Sequence, residues 1–165
     1  GRRLLADAGY PGGFKATLRL PPVAYARRGG EVIAQELRAI GIDVRIENIE
    51  WAQWLDQVYG KGDYDLTIVS HTEPRDIDIY AKDGYYFHYR NPAFNALMQD
   101  LQRAASDDER TRILQEAQRI LANDAVNGFL FQLPKIGVWN AALKGQWADS
   151  PVQANDLTGV YWEGR

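Results

Sequence analysis

The sequence predicts an α/β domain in which a parallel-core sheet is flanked by helices. Three strand-like stretches alternate with two helix-like stretches up to residue 70, and the connections between them are short. This order requires parallel strands joined by right-handed crossovers. The 165 residues suit one domain, and 45% hydrophobic with 25% charged residues is an ordinary balance for a globular protein.

Two of the three predicted strands alternate between apolar and polar side chains. Residues 15–20 read KATLRL and residues 43–49 read DVRIENI, so each strand should bury one face. The third stretch, DLTIVS at 65–70, is nearly continuous in its apolar part. Such a run is typical of a central strand that is covered on both faces.

Helices are predicted before, between and after these strands. A short helix is expected at 2–9, and apolar residues at helical spacing predict helices at 28–40 and 51–60. Gly41 follows the second of these as a C-terminal cap. Trp51 stands at the start of the third, where it could reach a cleft.

Capping residues mark two further helices in the second half of the chain. Asn91 is a predicted N-cap with proline in the first turn, and Ser106 begins a capping box. After these helices, 128–133 and 135–140 are predicted strands on either side of Pro134.

Composition excludes several classes of protein. The chain contains no cysteine, which excludes disulfides and thiol catalysis. Its net charge is −3 with the basic residues dispersed, so neither nucleic acid nor anionic lipid is an expected partner. No apolar run approaches the ~20 residues that a membrane span needs. The sequence opens within a helix-like stretch, and we expect this start to be a cut through a longer protein.

One irregular segment, 71–90, combines aromatic and charged side chains directly after the third predicted strand. It reads HTEPRDIDIYAKDGYYFHYR. Ligands of open α/β sheets bind beyond the carboxyl ends of the strands, and loops of this length are usually functional or disordered. So many aromatic residues argue against disorder. The alternative is that most of these rings simply cover the edge of the sheet.

The acids and histidines of this segment do not form a recognised catalytic or metal motif. Neither HExxH nor an EF-hand loop is present, and GxSxG, P-loop and GxGxxG motifs are also absent. We therefore expect no metal, no cofactor and no catalytic residue. Two alternatives stay open: Glu73 with Asp76 or Asp78 could form a glycosidase-like carboxylate pair, and Arg75 could simply neutralise its acidic neighbours.

Four stretches resemble the last third of the family 5 extracellular solute-binding proteins, the peptide, nickel and opine receptors of ABC importers. They are LLADAGYPGGFKATLRLP, LRAIGIDVRIENIEWAQWLDQVYGKGDYDLTIVS, NPAFNALMQDLQRAASDDERTRILQEAQRILANDA and LPKIGVWNAALKG. No single motif decides the resemblance, but the ordered set is specific and covers nearly the whole chain.

The resemblance implies one lobe of a periplasmic-binding-protein-like fold. Residues 1–165 would form the C-terminal lobe of a longer, two-lobed receptor, with the tail at 141–165 returning towards the other lobe. The full-length protein would be secreted to the periplasm by a signal peptide. It would bind a peptide or an opine-like solute between the lobes and deliver it to ABC permease subunits, without catalysis.

The same resemblance assigns ligand contacts. In this family the loop after the third strand commonly reads Trp-x-x-Asp and then Asp-Pro-Asp, and an acid there pairs with a peptide's ammonium group. His71 replaces the Trp, Glu73 lies near the first acid, and Asp76 begins the equivalent of Asp-Pro-Asp. Asp78 would face the same way as Asp76 only in an extended segment. The expected ligand-binding residues are Tyr25, Trp51, His71, Glu73, Arg75, Asp76 and Asp78.

A departure from the family argues against a dipeptide ligand. The dipeptide receptors carry an arginine just before the proline-rich loop that follows the first strand, where it holds the ligand carboxylate. Leu20 and Pro21 stand there in this chain.

Two functions of other classes remain as alternatives. One is a small α/β hydrolase-like enzyme with loop-borne carboxylates, and the other is an interaction domain that uses the tyrosine-rich loop. The receptor hypothesis also predicts partly exposed rings on the side of the other lobe. These rings are Tyr25, Trp51, Tyr80, Tyr85, Tyr86 and Phe87.

Overall fold

The structure, a computed structural model, describes residues 1–71, 76–134, 136–148 and 156–164. Its helices are α1 (Arg2–Asp7), α2 (Ala24–Ile40), α3 (Trp51–Gln53) continuing as a π-helix (Trp54–Gly60), a 3₁₀ helix (Asp76–Ala81), α4 (Pro92–Arg103) and α5 (Asp107–Asp124). Its strands are β1 (Phe14–Leu20), β2 (Ile42–Asn48), β3 (Leu66–Thr67), β4 (Leu143–Lys144) and β5 (Tyr161–Trp162). None of the described helices is both long and apolar enough to cross a membrane.

The predicted parallel sheet is confirmed. β1 pairs in parallel with β2 along its whole length, from Phe14 opposite Ile42 to Leu20 opposite Asn48. β3 pairs in parallel with the other side of β1 through Leu66 and Thr67. The strand order is therefore β2-β1-β3, with β1 in the centre.

The prediction of a central strand at 65–70 is wrong for the part of the chain that the structure describes, in which β3 is a short strand at the edge of the sheet. Hydrogen bonds to side chains hold both ends of the apolar run. The Asp65 carboxylate accepts from the Thr17 N–H of β1 at 2.8 Å, and the Tyr25 hydroxyl accepts from the Ser70 N–H at 2.9 Å. The run is continuous because Ile68 and Val69 pack against different hydrophobic cores. Apolar side chains on both faces of a strand do not determine whether it has two neighbours.

The first core lies between α2 and the sheet. Its buried members are Ala16, Leu18, Leu20, Ala26, Ala34, Ile42 and Val44. α2 begins at Ala24, ahead of the predicted start at residue 28, and ends as predicted at Gly41 with φ of 110°. Small residues bring this helix close to β1, since a Cβ at Gly30 would lie 2.4 Å from Leu20 Cδ1.

The helix that follows β2 changes from α to π geometry after its first turn. Glu50 and Gln53 form a reciprocal capping box at its start. The π-helix buries Trp54 and Val58. The Trp54 indole N–H donates to Thr67 Oγ1 at 3.0 Å, and that hydroxyl donates to the Arg19 carbonyl at 2.8 Å. The helix is thereby bonded to both β3 and β1.

A second core forms where the 3₁₀ helix, α4 and α5 meet. Its buried members are Ile79, Tyr80, Phe94, Met98, Ala117 and Leu121. The Asn91 side chain caps α4 as predicted, and Ser106 Oγ accepts from the Glu109 N–H at the start of α5. The Glu109 carboxylate accepts a hydrogen bond from the Ala105 N–H, whereas in a capping box it would accept from the N–H of the N-cap residue, Ser106.

An aromatic bridge, formed by Tyr80, Tyr85, Tyr86 and Phe87, joins the second core to a third core. That third core consists of Ile49, Trp54, Val58 and Tyr86. The ring centroids of Tyr86 and Phe87 are 4.4 Å apart, and Phe87 lies 5.0 Å from Tyr80 and 4.8 Å from Tyr85. Tyr85 and Phe87 pack against both cores.

The predicted exposure of the aromatic rings holds for some of them and is wrong for two. Tyr80 is 8% exposed and Tyr86 only 4%, because they are the bridge residues that belong to the cores themselves. Tyr25, Tyr85 and Phe87 are half-buried, and Trp51 is 41% exposed. The alternative that these rings are core residues therefore applies to Tyr80, in the core of the 3₁₀ helix, α4 and α5, and to Tyr86, in the third core.

The predicted strands at 128–133 and 135–140 are absent from the described parts of those stretches, which have no regular secondary structure. A strand needs a neighbour to take its backbone hydrogen bonds, and the described residues place none beside them. Large side chains are left in solvent, among them Phe129, Phe131, Leu133, Ile136 and Val138. Further along, β4 and β5 form a small antiparallel pair.

The close packing of α2 on β1 predicts opposite effects for two adjacent glycines. Gly30→Ala should lower the free energy of unfolding, because overpacking costs about 1–3 kcal/mol, more than the gain in helix propensity. Gly29→Ala should raise it by about 0.5–1 kcal/mol, since a Cβ at Gly29 meets nothing within 4 Å. Urea denaturation of both variants measures the difference; equal stabilities would contradict the packing.

A hydrogen bond between Tyr89 and Asp124 predicts alkaline sensitivity. Burial and this 2.5 Å bond raise the pKa of Tyr89 to about 12, whereas an unfolded tyrosine titrates near 10. The stability contributed by the protonated phenol is complete below pH 10 and is lost as the pH rises towards 12. Tyr89→Phe should therefore lose less stability than the wild type between pH 10 and 12 in unfolding experiments. Identical pH profiles would contradict this assignment.

Candidate functional site

A cavity of about 1310 Å³ opens beside β3 and the carboxyl edge of the sheet. One wall is the run from Tyr64 to His71, which includes β3, and a second comes from the 3₁₀ helix and the aromatic bridge. Residues 126–134, which follow α5, line the remaining side. This is the position at which open α/β sheets bind their ligands.

Tyr25 connects the first turn of α2 to the end of the β3 run. Its ring lines the cavity, and its hydroxyl accepts the 2.9 Å hydrogen bond from the Ser70 N–H. This bond fixes the chain immediately before His71. Tyr25, predicted as a ligand contact, therefore lies in the cavity wall and also positions the next predicted residue.

His71 is held against the aromatic bridge. Its Nε2 lies 2.8 Å from the Tyr86 hydroxyl, and its ring stacks on that of Tyr86 at 18° with centroids 6.0 Å apart. Phe87 meets the imidazole edge-on at 5.7 Å. The Tyr64 hydroxyl fixes the bridge in turn, by donating to the Tyr86 carbonyl at 2.8 Å. The imidazole is thus oriented by buried groups and lines the cavity.

The 3₁₀ helix separates the two aspartates that the sequence placed together. Asp76 and Ile79, three residues apart and therefore eclipsed in a 3₁₀ helix, both line the cavity. Asp78 is exposed and lies outside the lining residues. The extended conformation that would have turned Asp78 the same way as Asp76 is not formed.

Tyr80 and Asn127 close the wall beside Asp76. The Asn127 side-chain amide donates to the Tyr80 hydroxyl at 2.6 Å. Burial raises the pKa of Tyr80, the hydrogen bond from Asn127 opposes this, and the charge of Asp76 raises it further. The phenol is therefore neutral, with a carboxylate nearby.

The remaining predicted contacts lie elsewhere. Trp51 packs edge-on against Trp54 at 5.7 Å and is not part of the cavity wall, although it stands directly beyond the carboxyl end of β2. Glu73 and Arg75 lie outside the described residues. The described residues contain no group of three or more His, Asp or Glu side chains arranged to hold a metal ion.

Sequence reasoning missed Asn127 and the role of Tyr86. Asn127 follows α5, which ends at the left-handed residue Ala125, and a polar residue there is indistinguishable from an ordinary helix-end residue. The pairing of Tyr86 with His71 depends on a turn within 82–87 that has no periodic signature. Together these residues give an aromatic, hydrogen-bonding cavity with a carboxylate at its edge, which suits a ligand carrying an apolar part and a positive charge.

The fold and the cavity define an α/β domain with a candidate ligand site at the carboxyl edge of a parallel sheet. Residues 1–92 match the family described as "Bacterial extracellular solute-binding proteins, family 5 Middle". The chain belongs to the family 5 bacterial extracellular solute-binding proteins, as the resemblance indicated.

Individual relatives agree with this assignment. The chain is 31% identical over 121 residues to the probable D,D-dipeptide-binding periplasmic protein DdpA of Escherichia coli, covering 66% of this chain and 23% of that protein. The periplasmic binding protein DppA of Helicobacter pylori, solved with the peptide STSA, is 28% identical with a TM-score of 0.66, over 76% of this chain and 27% of that one. A dipeptide-binding protein of Pseudoalteromonas, solved with Met-Leu, shares the fold with a TM-score of 0.72 at 18% identity, over 98% of this chain and 35% of that one.

Two consequences follow from these matches. The chain spans only about a quarter to a third of the length of the relatives it matches. DdpA and the Helicobacter DppA are described as periplasmic proteins, in agreement with the predicted periplasmic location, and these matches give the hydrolase alternative no support.

The Tyr25–Ser70 hydrogen bond predicts a local effect at the cavity. Tyr25→Phe removes the acceptor, so the Ser70 amide should exchange with solvent at least several-fold faster. Global stability should fall by only about 0.5–1.5 kcal/mol, the net value of one hydrogen bond. Hydrogen exchange measured by NMR reports the rate at the Ser70 amide, and urea denaturation reports the global stability. An unchanged Ser70 exchange rate would contradict the positioning role of Tyr25.

Proposed function

We propose that this chain is the C-terminal lobe of the substrate-binding component of an ABC importer. The receptor binds a peptide or a peptide-like, opine-like solute in the cleft between two lobes and delivers it to membrane permease subunits. It carries out no reaction of its own. The observation that carries this proposal is the cavity at the carboxyl edge of the sheet, whose lining includes Tyr25, His71 and Asp76.

The second lobe completes the cleft in this proposal. The cavity is open on one side, and the relatives are three to four times longer than the matched part, which leaves ample chain for a further lobe. Residues 1–165 then act as one lobe, with 141–165 returning towards the other. Closure of the lobes over the solute traps it for delivery.

Each proposed ligand contact has a distinct task. Asp76 pairs with a cationic group of the solute, because a charge-assisted hydrogen bond offsets the cost of desolvating the charge. Tyr25 and His71 supply ring surface and polar atoms beside it. Trp51, 41% exposed at the same edge, faces the second lobe. Glu73 and Arg75 are proposed to act from the segment between His71 and Asp76.

The relatives support peptides as the class of solute. The Helicobacter relative was solved with a four-residue peptide, and DdpA is named for D,D-dipeptides. The absence of an arginine at Leu20 and Pro21 favours a ligand longer than a dipeptide or one held differently at its carboxylate. Peptides of four or more residues are therefore the first solutes to examine.

The two aspartates of the 3₁₀ helix provide a matched test of this proposal. In the complete receptor, Asp76→Asn should weaken binding of peptides with a free amino terminus by about 30-fold to several thousand-fold, the equivalent of about 2–5 kcal/mol for a buried charge pair. Asp78→Asn removes the same charge from an exposed position and should change affinity less than about threefold. Isothermal titration with tetra- and pentapeptides measures both.

Acetylated peptides and melting temperatures complete the design. Peptides with an acetylated amino terminus should bind weakly to the wild type and lose little on Asp76→Asn, since they offer no ammonium group. The proposal for Asp76 fails if both substitutions weaken binding equally. It also fails if Asp76→Asn lowers the melting temperature while leaving affinity unchanged.

A further inference from the structure

The sequence contains one Asn-Gly pair, Asn127-Gly128, and both residues line the cavity. In such a pair the backbone nitrogen of the glycine can attack the side-chain carbonyl carbon of the asparagine, because glycine has no Cβ to hinder the approach. Attack closes a five-membered succinimide ring and releases the side-chain nitrogen. Asparagine belongs to the thermally labile residues of proteins. The chemistry of this pair therefore allows a spontaneous covalent change within the cavity wall.

The backbone around the pair is available for this reaction. The helix α5 ends at Asp124, and Ala125 follows in the left-handed region with φ of 50°. Asn127 and Gly128 lie outside regular secondary structure, and the chain bends at Asn127. The Gly128 N–H donates no hydrogen bond to any residue that the structure describes. Gly128 is exposed, so solvent reaches the nitrogen that has to lose its proton.

The space around Gly128 also permits ring closure, which requires rotation of the backbone and of the Asn127 side chain. A Cβ built at Gly128 meets nothing within 4 Å, so no neighbouring atom blocks this rotation. Asn140 provides a contrast within the same chain. It is exposed too, but Ala141 follows it, and its side-chain oxygen accepts from the Ala142 N–H at 2.9 Å. That hydrogen bond holds the Asn140 side chain on a different backbone amide.

A hydrogen bond to Tyr80 restrains the Asn127 side chain without preventing the reaction. The Asn127 amide donates to the Tyr80 hydroxyl at 2.6 Å. This bond engages the nitrogen that leaves and not the carbonyl carbon that is attacked. A neutral hydrogen bond of this kind slows a local rearrangement by only about two- to tenfold.

We propose that Asn127 is a self-modification site, at which the side-chain amide is converted to a carboxylate without an enzyme. The Gly128 nitrogen gives up its proton and bonds to Asn127 Cγ, while the bond from Cγ to Nδ2 breaks and Nδ2 takes up a proton and leaves as ammonia. Water then adds to one of the two carbonyl carbons of the succinimide and opens the ring. The products at position 127 are aspartate and isoaspartate. No electrons are transferred, and water is the only co-reactant.

The modification changes the charge and the hydrogen bonding of the cavity wall. A carboxylate only accepts hydrogen bonds, so the Tyr80 hydroxyl has to donate where it now accepts. The new charge joins that of Asp76, which already acts on Tyr80. The isoaspartate product also lengthens the backbone by one methylene group. The wall becomes more negative, whatever ligand the cavity takes.

Peptide mapping by mass spectrometry after prolonged incubation of this chain in neutral buffer, below its melting temperature, tests the proposal. The Asn127 amide should convert to the acid at a rate about tenfold or more above that of Asn140, because glycine leaves the attacking nitrogen unhindered. Gly128→Ala should reduce the rate at Asn127 by a similar factor. This variant should keep the fold, since the added Cβ meets no neighbour within 4 Å. Equal rates at Asn127 and Asn140 in the wild type would overturn the proposal, as would an unchanged rate in Gly128→Ala.

The products and the pH dependence test the route. Ring opening should give both aspartate and isoaspartate, which chromatography separates, and the rate should rise with pH because the attacking nitrogen must lose a proton. Aspartate as the sole product would show direct hydrolysis of the side chain and overturn the succinimide route. If circular dichroism shows that Gly128→Ala does not fold, the comparison of Asn127 with Asn140 in the wild type still decides the outcome.

Discussion

The contact between two hydrophobic cores through Tyr85, Tyr86 and Phe87 is the interaction on which the rest of this structure depends. Tyr85 and Phe87 pack on the core of α4 and α5 and on the core under the π-helix, and Tyr86 is buried within the latter. The helical half of the chain is attached to the sheet half through these rings. The same rings orient His71 and support the 3₁₀ helix that carries Asp76. The irregular, aromatic and charged segment thus joins the two halves and lines the cavity, and Tyr86 and Phe87 do both.

The open edge of β3 explains the form of the cavity. β3 pairs with β1 over only two residues, so the rest of the 64–71 run is available for hydrogen bonds that involve side chains. At one end Asp65 accepts from the Thr17 N–H of β1, and at the other end Tyr25 of α2 accepts from the Ser70 N–H. A longer β3 with a second strand paired to its outer edge would fill the space that the cavity now occupies. The short strand is therefore part of the construction of the site, in the same way that the π-helix brings Trp54 onto Thr67.

Local chemistry made part of the fold predictable. Caps such as Asn91 and Gly41 depend on one or two residues and occur where the sequence placed them. The parallel order of the strands follows from short connections between alternating elements. The position of a strand within the sheet is harder to predict, because a strand with apolar side chains on both faces has the same sequence pattern at an edge of the sheet as in its centre.

The candidate site was harder to predict than the fold, for reasons of geometry. Asp76 and Asp78 are equivalent in composition, and only the 3₁₀ conformation turns one to the cavity and the other to solvent. The burial of Tyr80 and Tyr86 depends on contacts with residues distant in sequence, such as Phe94 and Trp54. A single sequence identifies the segment that carries the candidate site, but the direction of each side chain within it is set by tertiary packing.

Native-state amide exchange of Phe87→Ala tests the central role of the aromatic bridge most directly. Removing this ring should lower the opening free energy of amides around Ala117 in α5 by about 2 kcal/mol, a modest value for a half-buried phenylalanine. The amides around Leu18 in β1 should change by less than about 0.5 kcal/mol, because the sheet core then opens independently of the helices. Val138→Ala, which truncates a side chain that is 94% exposed and lies outside the cavity wall, serves as the control. Equal losses at both positions, or no loss at Ala117, would contradict the account.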